Sequence, residues 1–294
     1  KWGSEIMKLL RPSNLSRSLG GDLLNLLFLI LCGSLMALPL LYTIFQALKP
    51  LDEIFIFPPR FFVRNPTLDN FVQLLVMMGQ SWVPFSRYLF NTIFVTVAGT
   101  VGHVIVASMA AFVLAKHKFP GRNLFFNTVI LALMFSYHVT AIPNYLIMAR
   151  LNWVDTYLAL IVPYFSYPLG LFLMKQFMEQ IPDSLLESAR IDGASEFRIF
   201  WKIVMPSVKP AWLTLIIFIF QQLWTMQGGV YIYSEQLKTL SYAFNQILLG
   251  GAVTIARAGV SGAVGLLMMI PPIVLFIVTQ SNIMETMATS GIKE

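Results

Sequence analysis

The chain has 294 residues, 57% of them apolar and only 12% charged, and its mean hydropathy is +0.72. A soluble chain carries about 25% charged residues, so this composition excludes an ordinary soluble globule and places the chain in a membrane. The net charge of +6 is explained by basic loops at one membrane face rather than by nucleic-acid binding, and the lone Cys32 excludes an intrachain disulfide or a thiolate metal cluster.

Residues 1–22 read as an N-terminal segment ahead of the first span. The chain starts Lys1-Trp2-Gly3, with no initiator Met, and no signal-peptide cleavage pattern precedes the first apolar run, so that run is expected to be retained. Six spans are predicted within an all-α polytopic domain over 23–281: Leu23–Leu48, Leu89–Ala115, Leu124–Met148, Tyr157–Phe177, Ala211–Thr225 and Val260–Gln280. Most reach or approach the ~20 residues that cross the hydrocarbon layer; the fifth is short and is expected to start earlier or to extend toward Gly228. Residues 282–294 form the C-terminal tail.

Lys and Arg set the orientation. With the N-terminus inside, the inner segments hold thirteen: Lys1, Lys8, Arg11, Arg17, Lys116, Lys118, Arg122, Lys175, Arg190, Arg198, Lys202, Lys209 and Lys293. The outer segments hold seven: Lys49, Arg60, Arg64, Arg87, Arg150, Lys238 and Arg257. This asymmetry predicts both termini in the cytoplasm. The first outer loop, about 49–88, carries amphipathic stretches such as DNFVQLLVMM and is expected to hold a surface helix, under the outer headgroups or against a partner.

Between the fourth and fifth spans lies a polar insert, 183–210, reading DSLLESARIDGASEFRIFWKIVMPSVKP. Pro182-Asp183-Ser184 opens a helix, and Ser184 with Glu187 makes a capping-box pattern. Gly193 can stop that helix in the left-handed conformation, and Ser195 can cap a second one. In the second helix Phe197, Phe200, Trp201 and Val204 fall at the spacing of a single apolar face, with Glu196, Arg198 and Lys202 elsewhere, and Pro206 ends it. A helix–tight turn–helix is predicted, rigid enough to transmit a rigid-body movement.

Glu187-Ser188-Ala189, three residues, Gly193, nine residues, and Ile203-Val204-Met205-Pro206 resemble the EAA loop of ABC importer permeases. Five of the seven fixed positions of that pattern match in identity and register; Ser188 and Met205 depart from it conservatively. A second stretch, NTIFVTVAGTVGHVIVASMAAFVLAKHKFPGRNLFF, is similar to the carbohydrate-uptake branch, with Asn91 opening the second span and Ala110, Ala111, Leu114, Ala115, Phe119, Pro120, Gly121 and Arg122 in the family pattern. The likeness covers about 90–280, and the maltose-type second permease subunit is the nearest family type. The chain departs from the family's Met-x-x-Pro in the third span, where it has Met134-Phe135-Ser136-Tyr137-His138.

The resemblance implies a type I ABC importer permease fold, with Glu187, Ser188, Ala189, Asp192, Gly193, Ile203 and Pro206 as the ATPase-coupling residues. It implies a homologous second permease, two copies of a cytoplasmic ABC ATPase and an extracytoplasmic sugar-binding protein as partners, in a bacterial or archaeal cytoplasmic membrane. Its substrate would be a sugar or oligosaccharide. ATP and Mg would be held by the ATPase, since this chain has no P-loop pattern. No catalytic residue, metal site or nucleic-acid partner is expected.

Polar side chains at membrane depth face a cavity or a partner. Tyr137, His138 and Asn144 in the third span and Gln221, Gln222 and Trp224 in the fifth offer the aromatic faces and hydrogen-bonding groups a sugar path needs. Taken singly, each of these residues suits interhelical hydrogen bonding better than a sugar contact. Two further functions stay open: an amino-acid or peptide permease of the same class, and a secondary transporter. The latter needs intramembrane carboxylates, whereas every Asp and Glu here falls in a loop or at a span end.

Overall fold

The computed structural model describes residues 19–79, 83–249 and 254–290; the side chains of 19, 137–138, 254–257 and 282–290 lie outside that description. All regular structure among the described residues is helical. In chain order the helices are α1 (Leu19–Leu48), α2 (Leu51–Ile54), α3 (Asp69–Gly79), α4 (Phe85–Lys116), α5 (Arg122–Met134), α6 (Tyr137–Arg150), α7 (Tyr157–Phe165), α8 (Pro168–Glu179) and α9 (Asp183–Ile191). There follow α10 (Glu196–Ser207), α11 (Lys209–Trp224), a 3₁₀ turn (Glu235–Leu237), α12 (Leu240–Leu249) and α13 (Thr254–Ser290).

Four segments are long and apolar enough to cross a membrane: Gly20–Leu48, Phe85–Lys116, Tyr157–Glu179 and Ala258–Ser281. Counting each of two bent helix pairs as one span gives six among the described residues, the number predicted, but neither pair is straight. The third span, predicted as one rod, is α5 and α6 meeting at 114°. Phe135 has extended backbone there, and its N–H turns to the carbonyl of Ala132, so the helical ladder stops. The fifth span is α11, 16 residues or ~24 Å, and it starts two residues before the expected Ala211, bent 80° from α10.

α4 is the axis of the bundle and packs on α7, α8 and α11. Pro84 precedes its first turn, and Lys116 is its last helical residue. Its buried face reads Asn91, Thr92, Val95, Thr96, Gly99, Thr100, His103, Ala107, Ser108 and Ala111. These steps of three and four put small and polar groups on one stripe, which lets neighbouring helices approach closely. Leu223 of α11 sits over Gly99, where an added Cβ would stand 2.5 Å from its Cδ1.

A second core joins α3, α12 and α13 through Leu74, Met78, Phe244, Val260 and Val264. The expected helix of the first outer loop is α3. It buries Asn70, Leu74 and Met78 in the bundle and exposes Val72, Leu75 and Val76. Asn70 donates to the carbonyls of Ala47 (2.9 Å) and Lys49 (2.8 Å), fastening α3 to the end of α1. Leu23–Leu31 of α1, by contrast, are exposed along their length, as a surface facing lipid or a further chain would be.

Candidate functional site

The 183–207 hairpin forms as a rigid unit. The nine residues of α9 end in a Schellman motif: Gly193 has φ +78°, its N–H donates to the carbonyl of Arg190 (3.0 Å), and the N–H of Ala194 donates to the carbonyl of Ala189 (3.0 Å). Ser195 then caps α10, its hydroxyl accepting from the N–H of Arg198 at 3.4 Å. The predicted capping box does not form. Pro182 takes the N-cap position and Asp183 the first helical one, so Ser184 lies inside the helix and its carbonyl accepts from the Ser188 hydroxyl (2.9 Å).

The predicted apolar face of α10 also needs correction. Phe200–Val204 is a π turn, with the N–H of Met205 reaching the carbonyl of Phe200. The wider turn changes the angular phase, so Ile199, Phe200 and Val204 are buried while Phe197 is 68% and Trp201 39% exposed. The hairpin therefore has an apolar underside anchored in the bundle and an aromatic outer side left exposed among the described residues.

Ion pairs lock the hairpin to its base. Arg190 Nε donates to Glu196 Oε1 at 2.7 Å across the turn, and His117 lies 3.6 Å from the same carboxylate. Lys116 Nζ, at the end of α4, donates to Asp183 Oδ1 (2.8 Å) and to the carbonyl of Ile181 (2.5 Å). Lys175 and Arg122 share Glu179 at 2.7 and 3.4 Å. The hydrogen bond from Lys116 holds the Asp183 carboxyl below its ordinary range, and that from Arg190 does the same for Glu196. Both acids have lowered folded-state values, so these contacts are in place at neutral pH and are lost as pH falls through the carboxylate range. A cleft of about 410 Å³ runs beside them, between α4 and α10, lined by Met109, Phe112, Phe197 and Phe200 among others.

Of the predicted coupling residues, Glu187, Ser188, Asp192 and Gly193 are exposed on or beside the turn, Ala189 and Ile203 are half-buried, and Pro206 is exposed near the end of α10.

The opposite end of the bundle is tied by neutral hydrogen bonds around Asn91. Its Nδ2 donates to the carbonyls of Gln236 and Lys238, both at 2.8 Å, and its Oδ1 accepts from Tyr157 (2.7 Å). Asp155 accepts from the backbone N–H groups of Tyr233 (3.0 Å) and Ser234 (2.8 Å) and from the Ser234 hydroxyl, which draws its carboxyl below the ordinary range.

The predicted path residues separate. Gln221 and Gln222 are exposed on α11, and Gln222 Nε2 donates to the Tyr167 hydroxyl (3.2 Å). Trp224 is buried: its Nε1 donates to the carbonyl of Met268 (3.0 Å) and its ring stacks on Phe220 at 5.7 Å. Asn144 is half-buried on α6, with no hydrogen bond to Gln222 or Trp224. Tyr137 and His138 begin α6, and their side chains lie outside the described residues. Sequence reasoning missed Tyr167, although the Ser166-Tyr167-Pro168 punctuation inside the fourth span was a usable signal. No group of three metal-ligating side chains occurs among the described residues.

A helical membrane bundle carrying a rigid polar hairpin at one end is the architecture of a transport permease. Residues 62–283 match the family described as binding-protein-dependent transport system inner membrane component, and the chain belongs to that family. It is 38% identical over 208 residues to protein LplC of Bacillus subtilis, covering 69% of this chain and 66% of LplC. It is 29% identical over 265 residues to the arabinooligosaccharides transport system permease protein AraQ of Halalkalibacterium halodurans, covering 87% and 90%. It is 36% identical to the sn-glycerol-3-phosphate transport system permease protein UgpE of Yersinia enterocolitica, covering 67% and 72%. The fold matches a chain of a bacterial ABC transporter involved in import of the acidic polysaccharide alginate, with a TM-score of 0.76, 22% identity, and coverage of 92% and 99%.

Proposed function

We propose that this chain is one permease subunit of an ATP-driven importer of carbohydrate or a related polyol phosphate, and that the 183–207 hairpin is its contact with a separate ATPase. The observation that carries this reading is the Schellman turn at Gly193, in the register the EAA-like pattern requires, holding an exposed aromatic face on an ion-paired base. A movement imposed on that face passes through Lys116–Asp183 into α4 and through the continuous 196–224 segment into α11, the helix that carries Gln221 and Gln222. Names among the relatives favour a sugar or polyol phosphate over an amino acid or peptide. A homologous second permease, two ATPase copies and an external binding protein complete the proposed assembly, one related fold having been solved with a substrate-loaded periplasmic protein.

The reading is tested by reconstituting the complex and measuring ATP hydrolysis across a panel of sugars and glycerol phosphates presented on their binding protein. Stimulation by one member of the panel is expected; stimulation only by amino acids or peptides would refute the substrate class. In the same vesicles, Gln221→Ala and Gln222→Ala each remove a hydrogen-bonding group of ~0.5–1.5 kcal/mol, so uptake is expected to slow roughly two- to tenfold with assembly unchanged. Parental rates in both variants would assign the substrate contacts to the partner permease.

The Lys/Arg asymmetry supports a cytoplasmic hairpin and cytoplasmic termini. A cysteine introduced by Ser195→Cys in a Cys32→Ala background is expected to resist membrane-impermeant thiol reagents in intact cells and to react in inverted vesicles. Rapid labelling from outside would reverse the topology.

A further inference from the structure

The fourth span is broken between α7 and α8, at Ser166-Tyr167 ahead of Pro168. In an unbroken α-helix the carbonyl of Tyr164 would accept from the N–H of residue 168, and proline has none. That carbonyl instead receives the N–H of Tyr167 (3.2 Å) and, from across the bundle, Nδ1 of His103 on α4 (2.6 Å). A carbonyl oxygen only accepts, so Nδ1 carries the proton in this contact.

The packing around this bond is cut to fit it. A Cβ at Gly170 of α8 would stand 2.0 Å from His103 Nε2, so only glycine leaves room for the imidazole. Five residues earlier the fit is reversed: a Cβ at Gly102 of α4 would stand 2.2 Å from the ring of Phe165. Two interlocking notches thus bracket the break, one on each helix. His103 is fully buried, and its Nε2 has no hydrogen-bond partner among the described residues. The imidazole also meets the ring of Tyr167 edge-on at 6.2 Å, and the hydroxyl of Tyr167 holds Gln222.

We propose that His103 is the positioning residue of a latch in the fourth span, fixing the angle between α7 and α8 by replacing the backbone donor that Pro168 lacks. α8 runs directly into the hairpin, α7 runs to the Asn91 and Asp155 ties at the other end, and the break lies between them. Where the latch holds, displacement of the hairpin reaches Tyr167 and Gln222. Where it is lost, the displacement is absorbed at the break. The transport consequence rests on the permease reading above; the latch itself does not.

The test uses the full chain in its purified complex, with spin labels at Leu158 on α7 and Gln176 on α8 in a Cys32→Ala background. His103→Leu removes the donor and is expected to broaden the inter-label distance distribution. His103→Asn places an amide N–H near the position of Nδ1 and is expected to keep the parental distribution. Gly170→Ala, which displaces the ring without changing it, is expected to behave as His103→Leu, and it decides the matter should the leucine variant not be recovered. Pro168→Ala combined with His103→Leu restores a backbone donor and is expected to narrow the distribution again. In proteoliposomes the leucine variant is expected to hydrolyse ATP at the parental rate and to move about tenfold less substrate per ATP, since the loss of one hydrogen bond across the bundle leaves the break free to absorb the movement. An unchanged distribution in both His103→Leu and Gly170→Ala, or equal broadening in His103→Asn, would overturn the latch. A parental complex that couples no ATP to uptake would overturn the permease reading alone, since the distances would still decide the latch.

Discussion

Gly193→Pro is expected to abolish coupled uptake while the chain still reaches the membrane in normal amounts. Gly193 has φ +78°, proline is fixed near −65°, and the substitution also removes the N–H that closes on the carbonyl of Arg190. The Schellman turn cannot form, and the pairing of Arg190 with Glu196 loses its geometry. A graded series separates conformation from crowding, because a Cβ at Gly193 would meet nothing within 4 Å. Gly193→Ala costs only the left-handed backbone penalty, about 1 kcal/mol, and should transport at a reduced rate; Gly193→Asn, which enters that region readily, should lie nearer the parent. Uptake normalised to membrane abundance reads the series. Full transport by the proline variant would show that the turn does not carry the coupling movement.

Gly262→Leu is expected to destroy the detergent-stable fold. A Cβ at Gly262 would stand 2.7 Å from the backbone N of Ala47 and from the carbonyl carbon of Gln46, and backbone cannot rotate aside as a side chain can. The first and last spans must then separate, withdrawing Ala47 and Ala263, which are fully buried. Overpacking of a tight core costs ~1–3 kcal/mol, and here it strikes the helix on which α1 packs most extensively among the described residues. Gly33→Ala is the matched control, since Gly33 has open space around it and alanine is the better helix former. The two variants are compared by thermal unfolding of the purified protein, with a large drop expected for Gly262→Leu and none for Gly33→Ala. Equal midpoints would mean that the two spans do not pack as described.

The positions of the spans were legible because apolar length is read directly by hydropathy, and the hairpin turn because glycine is the residue that most readily adopts its left-handed backbone. What was not legible depends on hydrogen bonds that no residue type announces. Ser136 is an ordinary span residue by composition, yet the third span turns there, whereas Pro143 lies inside α6 without stopping it. Ser184 and Glu187 stand at capping-box spacing, but Pro182 sets the start of the helix two residues earlier. Trp224 offers a sugar-stacking face in the sequence, yet it spends both that face and its N–H on neighbouring protein groups, Phe220 and Met268. Gln221 and Gln222 remain open to solvent or ligand because α11 turns them away from the core that Leu223 fills.

The π turn at Phe200–Val204 gives the motif spacing a meaning beyond distance. An α-helix advances about 100° per residue, and a π turn takes up one extra residue without advancing the phase by that amount. If the same residues relaxed to a plain α-helix, Phe197 would point about a quarter-turn away from its present direction relative to Ile203 and Pro206. The hydrogen-bond pattern of this turn therefore sets the bearing of the exposed aromatics with little change in their reach. The fixed interval between Gly193 and Pro206 works as a protractor setting rather than as a ruler.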